Sequence, residues 1–345
     1  MAKTAVIGGS GYTGAELLRV LARHPELEVV TVTASSNVGA RVAELYPSLA
    51  AVYRDTVFAD FEPGELSGGI DVAFVALPHG ESQRHMPALV DCVAHVVDVG
   101  ADFRLPETMY EQWYGSPHGA PDLLARFAYG LPELFRDEIR TFPHVANPGC
   151  YPTVATLAQA PLLAQGMIEP RGVVVDAISG VSGRGRGLST ESLFAEANES
   201  VVAYGLLDHR HTAEMEMALS AVAGETVQVL FTPHLAPMTR GILATCYGRP
   251  AAEGLTTAGL LDAFHDFYRD EPFVVVSEAP APTKAAWGAN TVFLTPRFDP
   301  RTGTVLVVGV EDNLVKGAAG QAVQNANLLL GLPETTGLDT LGVMP

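Results

Sequence analysis

The sequence predicts an α/β protein of two domains, a first with a parallel sheet and helices between its strands and a second of α+β type with a mixed sheet. Near the N-terminus, a glycine-rich turn joins a short apolar strand to an amphipathic helix. Apolar runs recur along all 345 residues, and they become longer and richer in β-branched residues after Cys150. With 48% hydrophobic residues, the chain can bury two cores.

The first domain is predicted over residues 1–149 and is of the Rossmann, dinucleotide-binding type. A strand, a glycine turn, a helix and a second strand follow one another within about 30 residues, the length of one βαβ unit. Further buried strands continue the sheet. The predicted elements are strands at 4–8, 28–34, 71–77 and 95–99 and a helix at 15–24.

The second domain is predicted over residues 150–312 and begins at a candidate catalytic residue, Cys150. A helix at 313–331, rich in small residues that permit close packing, is expected to return to the first domain beside the cofactor. The predicted elements of the second domain are strands at 172–178, 226–232, 241–247 and 304–310 and helices at 212–222 and 257–269.

The glycine turn is the first candidate site. Gly8, Gly11 and Gly14 permit a tight turn and let backbone N–H groups approach a pyrophosphate at the start of the helix. We therefore predict dinucleotide binding here, the alternative being a turn with a structural role only. The predicted contacts are Gly8, Ser10, Gly11, Tyr12, Thr13 and Gly14.

The end of the second strand indicates which dinucleotide binds. An NAD site usually has a carboxylate there for the ribose 2′-hydroxyl. This chain instead has Ser35 and Ser36, and its next charged residue is Arg41. Hydroxyls and a guanidinium suit a 2′-phosphate, so the sequence favours NADP. The alternative is that these polar residues only cap a loop.

The second candidate site is the segment 147–153, Asn-Pro-Gly-Cys-Tyr-Pro-Thr, which precedes an apolar helical run. Proline is tolerated in a first helical turn, so Cys150 is expected at the start of a helix. The helix dipole there lowers a thiol pKa, and the N–H groups of the first turn can stabilise an oxyanion. We predict Cys150 as the nucleophile, whereas Cys92 and Cys246 lie in apolar runs as packing residues.

A third candidate site is the run His209-Arg210-His211-Thr212, with Thr212 expected to cap a helix. A histidine here can act as a general acid–base, and an arginine can bind an anion. His-x-His can also ligate zinc, but no further His or Cys stands at helical spacing, so no metal site is predicted.

Two further segments follow predicted strands. Arg104, in the segment 100–104, is a candidate for binding phosphate or carboxylate, with a surface salt bridge as the alternative. The glycine-rich segment 179–186 suits close approach of the backbone to a ligand, with a mobile loop as the alternative, and Ser179 and Gly180 are assigned to the cofactor.

Charge and cysteine content exclude several classes of protein. The net charge of −18 disfavours nucleic acid and anionic membranes as partners. An anionic small substrate would need a local cluster of Arg, Lys or His. Three widely spaced cysteines, a start that runs directly into a strand, and the lack of an apolar stretch of about 20 residues predict a cytoplasmic protein with reduced thiols.

With these residues in view, the sequence resembles the N-acetyl-γ-glutamyl-phosphate reductase family of arginine biosynthesis, within the semialdehyde dehydrogenase superfamily. The resemblance spans nearly the whole chain, and its most specific part surrounds Cys150. The segments that carry it are 8–14, 76–80, 101–105, 147–153, 209–212 and 312–321.

The resemblance implies that Cys150 attacks an acyl phosphate and expels phosphate, and that NADPH reduces the thioester to N-acetyl-glutamate 5-semialdehyde. It places the acid–base histidine in the His-Arg-His run, where we choose His211 because it precedes the expected cap. It also implies a homodimer or homotetramer built through the second domain, so that residues 150–312 form a catalytic and dimerisation domain. Arg104, Asn147, His209 and Glu214 are assigned to the substrate, and Ser35, Ser36, Arg41, Asn313, Lys316 and Gly317 join the cofactor residues.

One residue departs from the family pattern, because Arg184 stands where the pattern Ser-Gly-x-Ser-Gly-Ala-Gly-Arg has alanine.

Three rival functions stay open. One is a lysine-pathway reductase acting on a carrier-bound aminoadipyl phosphate, for which the acidic charge is unfavourable. The others are an aspartate-semialdehyde dehydrogenase, whose pattern lacks the His-Arg-His run, and a redox regulator without turnover.

Overall fold

The computed structural model describes residues 1–66 and 69–344 and divides the chain into two compact units. Unit 1 comprises Met1–Pro148 and Ala318–Leu338, and unit 2 comprises Gly149–Gly317 together with the short segment that begins at Asp339. Among the described residues, no helix has the length and apolar character needed to cross a membrane.

The strands are, in chain order, β1 Ala2–Ile7, β2 Leu27–Val32, β3 Ile70–Val75, β4 Val93–Asp98, β5 Phe127–Tyr129, β6 His144–Ala146, β7 Arg171–Gly180, β8 Val202–Ala203, β9 Gln228–Ala236, β10 Ile242–Gly248, β11 Val274–Val276, β12 Val292–Asp299 and β13 Thr304–Glu311. The helices are α1 Tyr12–Leu21, α2 Val42–Leu45, α3 Ala50–Tyr53, α4 Ser82–Leu89, α5 Glu107–Tyr114, α6 Pro132–Ile139, α7 Cys150–Ala164, α8 Phe194–Ala197, α9 His211–Ala223, α10 Thr257–Phe267 and α11 Gly320–Leu329.

Unit 1 is built on a parallel sheet with the strand order β2-β1-β3-β4-β6-β5. Successive side chains of a strand enter opposite faces. Val6 and Phe74 accordingly pack in one core, while Ile7 and Val75 pack in the other. A sheet covered on both faces explains why its strands read as continuous apolar runs, and it confirms the predicted α/β class.

The small-residue helix α11 packs within unit 1 against α1, α6 and β4. Asn325 donates from Nδ2 to the carbonyl of Gly130 at 2.8 Å and to Oδ1 of Asn147 at 3.0 Å. The helix begins later than the predicted residue 313. A π-helical turn, Val315–Ala319, precedes it, because Gly317 N–H bonds to the carbonyl five residues earlier.

Unit 2 contains a mixed sheet, as predicted, with the strand order β11-β12-β13-β10-β7-β9-β8. The pairs β7–β9 and β11–β12 are parallel, and the other pairs are antiparallel. Sequence patterns missed β12, because Pro296 interrupts its apolar run. In the sheet this proline lies opposite Val307 of β13.

Candidate active site

The glycine turn of unit 1 lies directly between β1 and α1. Gly8 has a φ of +81°, a conformation that favours glycine, and a Cβ on Gly14 would lie 2.5 Å from Cα of Gly9. Helix α1 begins at Tyr12, just after Gly11, and carries no acidic residue in its first turn. The turn therefore fits a dinucleotide pyrophosphate, since it combines a close backbone approach with the positive end of a helix.

The loop after β2 carries the residues predicted to select the dinucleotide. Ser35 and Ser36 are exposed there, whereas the preceding Ala34 is buried. Arg41 directly precedes α2, and its guanidinium is about half exposed, 3.4 Å from the carboxylate of Asp55.

A buried acid pair lies at the carboxyl end of β4 in unit 1, where Asp98 is the last residue of the strand and Asp102 follows it. Asp98 accepts hydrogen bonds from Gly100 N at 2.9 Å and from Ser82 Oγ at 3.1 Å. Burial, and then the nearby charge of Asp102, raises the pKa of Asp98 to about 7. Asp102 lies 2.8 Å from Nδ1 of His79.

Arg104 and Asn147, both assigned to substrate by the sequence, are well buried in unit 1. Arg104 donates from Nη2 to the carbonyl of Val99 at 2.9 Å. Asn147 donates from Nδ2 to the carbonyl of Ala318 at 3.2 Å and accepts from Asn325. The amide of Asn147 therefore contacts the segment Ala318–Leu338, which completes unit 1.

In unit 2, α7 begins at Cys150, as predicted, with Gly149 as its N-cap. Glu214 of α9 is buried and accepts a hydrogen bond from Gly149 N–H at 2.6 Å on its Oε1. Thr153 donates from Oγ1 to the carbonyl of Gly149 at 3.0 Å. Glu214, assigned to substrate by the sequence, thus contacts the backbone that positions Cys150.

A cavity of about 270 Å³ opens at Cys150. It brings together three further residues that the sequence assigned to the site, Ser179, His209 and His211. The residues that line it are Cys150, Tyr151, Ser179, Gly183, Arg184, Tyr204, His209 and His211.

The two histidines are adjacent in this cavity, with ring centroids 4.8 Å apart. His209 accepts from His211 N–H on Nδ1 at 3.2 Å. Burial, and then the charge of Arg210, lowers the pKa of His209 to about 4, so this imidazole is neutral near pH 7.

The predicted cap by Thr212 is wrong. Helix α9 begins one residue earlier, at His211, with Arg210 as N-cap and no side-chain capping hydrogen bond. Thr212 is buried in the first turn, where its side chain is enclosed by protein. The reason given for preferring His211 over His209 therefore does not hold, although both histidines line the cavity.

The cavity is also lined by two tyrosines, Tyr151 and Tyr204, that sequence patterns did not assign to the site. Tyr151 donates to the carbonyl of His234 at 3.1 Å and accepts from the Tyr204 hydroxyl at 3.2 Å. Burial raises the pKa of Tyr151 above its ordinary range and that of Tyr204 to about 12, so both remain protonated donors. Tyr151 could have been found beside Cys150, whereas no local signal marks Tyr204.

The segment 179–186 is braced by Asn313, whose Nδ2 donates to Ser182 Oγ at 3.0 Å and whose Oδ1 accepts from Gly241 N at 2.7 Å. Gly180 approaches a neighbouring backbone closely, since a Cβ there would lie 2.7 Å from N of Arg240. Asn313, assigned to the cofactor by the sequence, therefore contacts the segment 179–186 of its own unit, which contributes residues to the Cys150 cavity.

Lys316 and Gly317 were also assigned to the cofactor. Lys316 is fully buried, with its ammonium 5.5 Å from the centroid of the Phe273 ring. Gly317 packs behind the candidate nucleophile, because a Cβ there would lie 2.8 Å from Cβ of Cys150.

The three cysteines are free thiols, and Cys246 is fully buried, in keeping with its predicted packing role. Cys92 packs at the edge of a core in unit 1. In the part of the chain that the structure describes, no group of three or more His, Cys, Asp or Glu residues is arranged to hold a metal ion.

Comparison with known proteins identifies the family. Residues 3–142 match the family model described as "Semialdehyde dehydrogenase, NAD binding domain", and residues 150–313 match "Semialdehyde dehydrogenase, dimerisation domain". Relatives named N-acetyl-gamma-glutamyl-phosphate reductase match over the full length. That of Symbiobacterium thermophilum is 51% identical over 99% of this chain and 98% of the relative, and that of Moorella thermoacetica is 47% identical over 100% of both.

The chain belongs to the semialdehyde dehydrogenase family, and within it to the N-acetyl-γ-glutamyl-phosphate reductases. Membership confirms the resemblance stated from the sequence. A nicotinamide dinucleotide is therefore its cofactor, and the match to a dimerisation domain indicates an oligomer.

Solved structures of aspartate semialdehyde dehydrogenases share the fold of this chain at low sequence identity. Aspartate semialdehyde dehydrogenase II of Vibrio cholerae has a TM-score of 0.72 at 18% identity, covering 96% of this chain and 98% of that one. The enzyme of Candida albicans with NADP has a TM-score of 0.72 at 17% identity, covering 96% and 99%. At these identities the likeness concerns the fold alone.

Proposed function

We propose that this protein is the NADPH-dependent reductase that converts N-acetyl-L-glutamyl 5-phosphate into N-acetyl-L-glutamate 5-semialdehyde in arginine biosynthesis. The observation that carries the proposal is Cys150 at the start of α7, in one cavity with His209 and His211. Full-length relatives named for this reaction support the choice of substrate. We place the enzyme in the cytoplasm as a homodimer or homotetramer, with no nucleic acid or membrane partner.

The first half of the reaction forms a thioester. We assign removal of the thiol proton to His211, because burial lowers the pKa of His209 to about 4 and makes that imidazole a weak base. The Cys150 sulfur then attacks the acyl carbon of the substrate. The C–S bond forms, the bond from the acyl carbon to the phosphate oxygen breaks, and inorganic phosphate leaves. The helix N-terminus at Cys150 favours both the thiolate and the oxyanion that develops during this attack.

The second half returns the free enzyme. When bound, NADPH supplies a hydride to the thioester carbon. The tetrahedral oxyanion then collapses, the C–S bond breaks and the aldehyde is released, and the Cys150 thiolate takes back the proton that His211 removed. Tyr151 and Tyr204, whose hydroxyls remain protonated, keep the cavity wall polar without adding negative charge.

The preference for NADP rests on the exposed loop after β2. Ser35 and Ser36 offer hydroxyls, and the half-exposed Arg41 offers a guanidinium to a 2′-phosphate. We expect kcat/KM to be clearly higher with NADPH than with NADH, and Arg41→Glu to narrow this gap. Equal values for the two cofactors in the unchanged protein would contradict this assignment.

The substrate is tested in the reverse direction with NADP, inorganic phosphate and a panel of semialdehydes. We expect NADPH formation with N-acetyl-glutamate 5-semialdehyde and at most weak activity with aspartate semialdehyde or a carrier-bound aminoadipate semialdehyde. Preference for another member of the panel would replace the proposed substrate. If no aldehyde is turned over although the cofactor binds tightly, the alternative of a redox regulator without turnover would be favoured.

A further inference from the structure

Arg184 is a cationic side chain in the Cys150 cavity that the reaction above does not use. It ends the 3₁₀ turn Val181–Arg184, which follows β7 and is held at Ser182 by the hydrogen bond from Asn313. Its side chain is 28% exposed and lines the cavity with Cys150. The residue is also the one at which this chain departs from the family pattern.

The charge of the cavity depends on this arginine. Of the eight described residues that line the cavity, Arg184 alone is permanently cationic. His209 is neutral near pH 7 because burial lowers its pKa to about 4. In a chain with a net charge of −18, an anionic substrate therefore meets its local positive charge in this cavity at Arg184.

The guanidinium is positioned by two neighbours. Its Cζ lies 5.1 Å from the centroid of the Tyr204 ring, within the range of a cation–π contact. Its Nη1 lies 3.6 Å from Oε2 of Glu191, a side chain that is 56% exposed. This is a loose, exposed ion pair that a competing anion can displace. Glu191 does not line the cavity, so the exchange needs the guanidinium to turn, not the loop to unfold.

We propose that Arg184 is an anion-binding residue of the Cys150 cavity, which exchanges Glu191 for a negatively charged group of the substrate. The group is a phosphoryl or a carboxylate, both of which match the planar fork of a guanidinium. The proposal rests on the proposed function for the identity of the substrate. The assignment of an anion site, in contrast, rests on the geometry of the cavity and does not depend on which substrate binds there.

Reverse-direction kinetics separate the two groups, because phosphate and the carboxylate-bearing semialdehyde are then separate substrates. Arg184→Ala should raise one of the two KM values about tenfold, the effect of one partly exposed charge-assisted hydrogen bond, with kcat changed much less. Arg184→Lys should restore part of the loss, since it keeps the charge without the fork. Alanine is the residue of the family pattern, so the variant is expected to fold.

Glu191→Gln gives the complementary result. Removing the competing carboxylate should lower the same KM by roughly two- to fivefold, the scale of an exposed ion pair. The matched control is Arg301→Ala. Arg301 also pairs with an acid in unit 2, at 3.5 Å from Asp299, and does not line the cavity, so this variant should behave as the unchanged protein.

A binding measurement makes failure of this proposal distinguishable from failure of the proposed function. Iodoacetamide labelling of Cys150 is followed by mass spectrometry while inorganic phosphate or acetate is titrated at constant ionic strength. At least one of these anions should protect the unchanged protein, and about tenfold more of it should be needed with Arg184→Ala. Equal protection and equal KM values in the two proteins would overturn the role of Arg184, even if the enzyme reduces the proposed substrate.

Discussion

Gly317 lies against the candidate nucleophile, and adding one methyl group there tests the geometry of the site. A Cβ on Gly317 would lie 2.8 Å from Cβ of Cys150, 3.2 Å from its Cα and 2.7 Å from Oε1 of Glu311. Carbon atoms in contact normally stand about 3.5–4.0 Å apart, so Gly317→Ala requires a displacement of about 1 Å. The neighbours on the Cys150 side are backbone and its first side-chain atom, which cannot rotate away.

The expected cost appears mainly in turnover. Displacing a reacting atom by about 1 Å can lower the rate by about 10²-fold, and overpacking lowers stability by about 1–3 kcal/mol. We expect Gly317→Ala to lower kcat by about that factor while the Kd for NADPH stays unchanged. Steady-state kinetics, a fluorescence titration with NADPH and urea denaturation measure the three quantities.

The control is Gly64→Ala, because a Cβ there meets no atom within 4 Å. This variant should retain the kcat of the unchanged protein. A Gly317→Ala protein with kcat within about threefold of normal would show that the site tolerates the methyl group, against the magnitude expected from such a displacement. A weakened Kd for NADPH with normal kcat would instead support the role in cofactor binding assigned from the sequence.

Four other substitutions test the remaining groups. Cys150→Ser should abolish turnover and leave NADPH binding intact, since a neutral hydroxyl is a poorer nucleophile than a thiolate; near-normal activity would remove Cys150 from the mechanism. His211→Asn should lower kcat by roughly 10²–10⁴-fold and His209→Asn should act more on KM, and reversed phenotypes in steady-state kinetics would exchange their roles. Asp98 holds its proton more tightly in the folded chain, with a pKa of about 7 against 3.8, so its contribution to stability falls as pH rises between these values. The free energy of unfolding therefore changes by at most roughly 1.4 kcal/mol per pH unit because of this group. Asp98→Asn should flatten the pH dependence of the free energy of unfolding, measured with urea between pH 5 and 7.5. Parallel curves for the two proteins would contradict the raised pKa.

The sequence alone determined what local patterns encode. Apolar runs, rich in β-branched residues after Cys150, indicated the main strands, and the glycine turn with its following helix indicated a dinucleotide site. The segment around Cys150 predicted both the start of α7 and the nucleophile assigned to it. The predicted turn and the predicted start of α7 are confirmed, because a turn or a helix start is set by residues within a few positions of one another, whereas the roles assigned to these residues stay predictions.

Only the tertiary structure decided which distant side chains meet Cys150. Tyr204 and Arg184 line its cavity, while Glu214 contacts the N–H of Gly149, and none of these contacts has a local signal in the chain. Gly317 packs against Cys150 from well over a hundred residues away. The physical reason is that these contacts depend on how separate strands and helices pack against one another. The volume and charge of a side chain select its neighbours in the folded chain, and spacing along the sequence does not show which residues those are.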